Sequence, residues 1–73
     1  YTRFIRNILI AIGNSKDKEL VKYILVHLEN NSPLIRAMAI WSLNKLDKKT
    51  FCNQREIRMN NEIDKYVLNE WRV

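Results

Sequence analysis

The chain is poor in the residue types from which small functional sites are usually built. Its 73 residues include one Cys, one His, one Gly and one Pro. A single thiol, Cys52, makes no internal disulfide, and nothing beside it has the spacing of zinc or iron–sulfur ligands. A reducing compartment follows, and cytoplasmic localisation is the expectation. His27 has no second ligand or carboxylate partner near it, so it reads as a structural histidine rather than a general base. No nucleophile, base and orienting group can be assembled, which disfavours a free-standing enzyme. The scarcity of Gly and Pro argues against disorder and for helix. No apolar run approaches the length of a membrane span, and no signal peptide is visible. The sequence opens on Tyr1 rather than Met and reads as a piece of something longer.

What the chain does have is apolar spacing and positive charge. Hydrophobic residues make up 47% of it, normal for a globular domain, and its length allows one small domain at most. The net charge is +5, from 13 basic and 8 acidic residues. Residues 1–46 carry seven of the basic and three of the acidic residues, so the excess lies in the front part. A surplus of this kind fits an anionic partner such as nucleic acid, or simply a solvated surface.

The spacing predicts four helices. Ile5, Ile8, Leu9 and Ile12 form one face of a helix over about 3–13. Gly13, or Asn14, is expected to close it in the left-handed conformation, and Ser15 or Asp17 to cap the next. A second helix over about 16–29 carries Leu20, Val21, Ile24, Leu25 and Leu28, until Asn30-Asn31 breaks it. Ser32-Pro33 starts a third, with Ile35, Met38, Ala39, Ser42, Leu43 and Leu46 marking its inward side. Residues 47–60 are polar and read as a loop with one helical turn near Arg55–Met59. A fourth helix over about 61–71, capped by Asn60 or Asn61, presents Ile63, Tyr66, Val67 and Trp71.

A repeat runs through this pattern. Shifted by 30 residues, Phe4–Glu19 lies over Leu34–Lys49 with six identities in sixteen positions: Ile5/Ile35, Arg6/Arg36, Ile10/Ile40, Asn14/Asn44, Asp17/Asp47 and Lys18/Lys48. "KYIL" at 22–25 returns as "KYVL" at 65–68, offset by 43. The two offsets imply a two-unit helical repeat, one unit over 3–30 and the other over 32–71, with an insertion at about 47–60 in the second. Each unit is a helix pair that buries its apolar face only by stacking on a neighbour. The expected fold is all-α, two helical hairpins forming a fragment of an α–α superhelix.

Pro33, the Ile35-Arg36 pair, Ala39 and Leu43 resemble the first helix of a HEAT-like repeat. Taken with the unit before it, the chain resembles the C-terminal end of epoxyqueuosine reductase over about residues 3–46. The residues that carry this likeness are Arg6, Asn7, Gly13, Asn14 and Ser15, then Ser32–Arg36, Ala39, Trp41 and Leu43. The resemblance implies a helical accessory region that docks tRNA near its anticodon, alongside the catalytic domain of the same parent protein, in queuosine modification. It implies tRNA rather than DNA as the partner. It also implies cobalamin and 4Fe-4S clusters for the parent family, bound upstream of this region. The alternative is a HEAT-like scaffold that binds protein and no nucleic acid.

The cations give the candidate RNA contacts: Arg3, Arg6, Lys16, Lys18, Lys22, Arg36, Lys45 and Lys48. Arg3 and Arg6 stand one helical turn apart, as do Lys18 and Lys22, so each pair projects from one face. Arg6 and Arg36 hold equivalent repeat positions, where the fork can reach phosphate or bond a neighbouring aspartate or helix-end carbonyls. Lys45 and Lys48, with Lys49, also suit the end of the third helix. Trp41 can stack on a base, but it, Tyr23, Tyr66 and Trp71 read first as packing residues.

Overall fold

A computed structural model describes residues 1–73 and is all-helical. Five α-helices follow in order: α1 (Thr2–Gly13), α2 (Val21–Leu25), α3 (Pro33–Leu46), α4 (Lys48–Arg58) and α5 (Lys65–Trp71). Turns of 3-10 helix at Lys18–Leu20 and Val26–Glu29 flank α2, so the expected second helix is one helical rod with tighter ends. At five residues α2 is too short to persist in water, and packing holds it. No helix is long and apolar enough to cross a membrane.

Helix α3 is the centre. It packs on α1, α2, α4 and α5. Ser32 caps it by accepting the Ile35 amide, with Pro33 in the first turn. Its Ile35, Ala39, Ile40 and Leu43 are at most 1% exposed. Leu9 and Ile12 of α1, Ile24 and Leu28 of the second rod, and Val67 and Trp71 of α5 complete the core. Each fully buried Leu or Ile contributes about 1.5–3 kcal/mol, which is how so short a chain closes a core.

Ser42 is the small residue that lets α1 approach. Its hydroxyl donates to the Leu9 carbonyl at 2.7 Å and is fully buried. Gly13 completes that approach. It does not adopt the left-handed conformation expected of it. It is the last residue of α1, and a Cβ there would stand 3.0 Å from Ser42 Oγ and Trp41 Cζ3. The left-handed residue is Lys16, at φ 63°. The turn around it is tied by Ser15, whose hydroxyl donates to the Ile12 carbonyl at 2.6 Å and accepts the Asp17 amide at 3.1 Å.

The polar stretch expected to be a loop is α4. Asp47 caps it by accepting the Thr50 amide and hydroxyl, as Asp17 caps the rod that follows α1 by accepting the Glu19 amide. Its inward row is Phe51, Cys52, Arg55 and Met59, of which only Phe51 is fully buried. Phe51 meets Trp71 with ring centroids 5.5 Å apart. Arg55 lies over the Phe51 ring at 5.4 Å and donates to the Trp71 carbonyl. A charged residue thus occupies the position where a hydrophobe would have announced the helix.

The last helix starts later than expected. Asp64, not Asn60 or Asn61, caps α5 by accepting the Tyr66 and Val67 amides, while the two asparagines form a 3-10 turn. Ile63 precedes the cap and is 92% exposed. The "KYIL" and "KYVL" echo is structural: Ile24 and Val67 are fully buried, and Tyr23 and Tyr66 are each about half exposed. Both tyrosines therefore depart from the packing role expected of them, because the next residue takes the inward position.

Candidate nucleic-acid interface

Helix α3 has a second row, outside the core. Leu34, Met38, Trp41 and Lys45 follow one another at helical spacing along one side. Arg3, Arg6, Ile10 and Asn14 form the corresponding row of α1, and Tyr66 and Glu70 that of α5. These rows line one trough made of three depressions joined end to end. Arg3, Arg6, Leu34, Met38 and Tyr66 line the first. Met38 and Tyr66 continue into the second with Ile10, Trp41 and Glu70. Asn14 and Lys45 continue into the third with Lys16 and Lys18.

The charge along the trough is therefore patterned. Two guanidinium groups stand at one end and three ammonium groups at the other. Between them lie two aromatic rings, the apolar side chains of Ile10, Ala37 and Met38, and a single carboxylate, Glu70. None of the five cations has a carboxylate within ion-pairing distance; the molecule's two ion pairs lie elsewhere. Lys45 Nζ sits 5.9 Å from the centre of the Trp41 ring. The left-handed backbone at Lys16 belongs to the same end, where the turn after α1 carries Lys16 and Lys18 beside the C-terminus of α3.

Three of the eight candidate cations lie outside the trough. Lys22 is exposed on α2, with Nζ 5.4 Å from the Tyr23 ring centre. Lys48 opens α4, with Nζ 5.5 Å from the Phe51 ring centre. Arg36 is engaged internally. Its guanidinium makes two hydrogen bonds of 3.0 Å to Glu62 and donates to the Asn30 and Asn31 carbonyls at 2.8 and 3.2 Å. The helix-end carbonyls fit the structural alternative for an arginine at this repeat position. The acid is Glu62 rather than a neighbouring aspartate, Asp17 or Asp47, because the segment between α4 and α5 returns to the start of α3.

Glu62 is the hub of that contact. Burial pushes its carboxyl up, but the Arg36 fork, the Asp64 amide and the Arg36 charge outweigh this and hold it below the ordinary 4.5. The Thr50 hydroxyl holds Asp47 below its ordinary 3.8, against the opposing effect of burial, with the Thr50 and Lys49 amides and the Lys18 charge adding to the lowering. Glu29 and Arg58 form the second ion pair, at 3.2 Å. Glu29, Arg58 and Glu62 surround a separate depression that shares no residue with the trough.

Nothing in this chain fits a metal cluster. No three His, Cys, Asp or Glu side chains converge on one point, and Cys52, packed against the core, has Arg55 as its one hydrogen-bond partner, at 3.9 Å. The iron–sulfur clusters implied for the parent family find no ligand set among these residues.

Sequence reasoning found the trough's cations but not its middle. Tyr66 reads as a packing residue, Trp41 as packing before base stacking, and Glu70 carries no signal of its own. A stripe offset from the core row was the available sign: 34, 38, 41 and 45 repeat at 3.6-residue spacing beside 35, 39, 42 and 46. Comparison with known protein families, with curated proteins and with solved structures found no match to this chain.

Proposed function

We propose that this chain is an RNA-docking helical module, and that it serves as the tRNA-docking part of an enzyme of the epoxyqueuosine reductase kind. One observation carries the RNA reading: unpaired cations gather at both ends of a single trough whose middle offers Trp41 and Tyr66. Cations for phosphate and rings for bases are the two contacts by which RNA is held without sequence readout. The narrower assignment, to tRNA in queuosine modification, rests on the resemblance of residues 3–46 alone. It makes the catalytic domain of the parent protein the second partner, and a cytoplasmic setting the natural one.

Ile10 and Met38 in the same middle favour a second reading, in which the trough receives an apolar helix of a protein partner. Salt separates the two. Phosphate binding weakens steeply as salt rises, whereas apolar contact changes little. The test is a titration of the chain with an unmodified tRNA bearing a queuosine-type anticodon, at low and at physiological salt. Binding that falls with salt supports the docking role. No binding at low salt removes it and leaves the protein-scaffold reading.

A further inference from the structure

The order of charges along the trough says more than that RNA fits. The ends are positive and the middle carries the one carboxylate, Glu70, beside the half-exposed Tyr66. A phosphate placed in the middle would meet a like charge. A base placed there would meet a ring to stack on and a carboxylate able to accept from an exocyclic amino group.

We infer that the trough takes an unpaired RNA strand, with its phosphates at the two cationic ends and its bases turned inward onto Tyr66 and Trp41. This rests on the RNA reading above and deepens it. A duplex fits the same features poorly. Its stacked bases offer no free face to either ring, and its continuous rows of phosphate would run past Glu70. It is also about as wide as this whole molecule is thick, 18 Å, so it can lie across the trough but not enter it. The span suits a short strand. Arg3 and Gly13, which line the first and the last depression, stand ten residues apart on α1, about 15 Å of helix, and this matches on the order of four nucleotides, the low end for single-strand sites on small domains. The middle depression, about 370 Å³, has room for a base.

The molecule carries its own reporter. Trp71 is 2% exposed, while Trp41 lines the trough, so a change in tryptophan emission on binding comes from Trp41. The experiment titrates the chain with a short unstructured RNA of mixed sequence, and separately with a hairpin whose stem pairs the same bases and is closed by a non-nucleotide linker, so that it offers no unpaired base. The expected result is quenching by the single strand and binding of the hairpin about tenfold weaker. Tyr66→Ala, at an exposed ring whose loss leaves the core intact, is expected to weaken the single strand about tenfold and the hairpin little. Trp41→Phe keeps a ring and removes the signal.

Equal or tighter binding of the hairpin, with Tyr66→Ala without effect, overturns this inference. In that event Arg6→Ala and Lys45→Ala still weaken both RNAs, and the RNA reading stands. If neither RNA binds, both readings fall together.

Discussion

Arg6 and Arg36 occupy the same place in the repeat and do opposite things. Arg36 lies on a face where charges are matched: its fork closes on Glu62, and Arg58 reaches Glu29 beside the same depression. Arg6 lies at one end of a trough where five cations stand without an acid partner. The helix position is equivalent, and so is the residue. What differs is the segment that comes back to it. Unit two returns Glu62 to the start of α3 through the link between α4 and α5, and no such carboxylate returns to α1. Repeat register assigns a residue its direction, and the returning chain assigns its partner.

The sharpest way to break this comparison is Arg36→Ala. It leaves Glu62, whose side chain is 11% exposed, without its cation, and frees two helix-end carbonyls. The expected loss is about 2–3 kcal/mol, or a melting temperature lower by roughly 10–20 °C for a domain of this size. Circular dichroism melts measure it. An equal loss in Arg6→Ala would erase the distinction between the two faces.

Acid gives the next effect. Glu62 and Asp47 both titrate below their ordinary values of 4.5 and 3.8 in the folded chain. The unfolded chain therefore takes up these protons first. Their stabilisation is full above the ordinary carboxylate range and is lost as pH falls through the lowered folded values. Melts in a descending pH series should drop across that window. The drop should be shallower in Arg36→Ala, where burial of Glu62 is no longer outweighed by the fork. Identical slopes would mean that the Arg36 contact contributes nothing to the acid response.

A smaller effect tests whether the trough end costs stability. Lys16 holds a left-handed backbone that an L side chain adopts at a cost of about 1–2 kcal/mol, partly offset by the greater chain entropy glycine loses on folding, about 0.5–1 kcal/mol. Lys16→Gly should therefore raise the melting temperature by a few degrees while weakening RNA binding. Stabilisation without weaker binding would remove Lys16 from the interface.

The smallest effect on stability belongs to Arg6→Ala. Its side chain is exposed and unpaired, so the melt should move by no more than about 0.5 kcal/mol. Under the RNA reading the affinity falls alike for all sequences, and the salt slope declines by about 1. Filter binding at several salt concentrations measures both.

Much of this molecule was legible because its signals are local. Ser32-Pro33 starts a helix by its own chemistry, and Asp17 caps one from two residues away. The row Leu9 and Ile12 is buried because apolar spacing and helical pitch agree. Helix α4 escaped because its core contact is a single phenylalanine, with Arg55 and Cys52 filling the rest of its inward row. Gly13 looked like a stop signal, yet its reason is a helix-to-helix approach against Ser42 that depends on residues 29 positions away. The trough's cations could be named from the chain. Its middle could not, because Tyr66 and Trp41 are placed by how α5 and α1 flank α3.

By itself, then, the sequence determined the helical class, the caps at Asp17 and Ser32, the buried rows of α1 and α3 around Leu9, Ile12, Ile35, Ala39 and Leu43, and the surplus of positive charge. Each of these depends on neighbours within a turn or two, where pitch and capping geometry act directly. Tertiary structure decided which arginine is tied down, which rings face solvent and which cations share one surface. Those outcomes depend on residues far apart in the chain, brought together only when the core closes around α3.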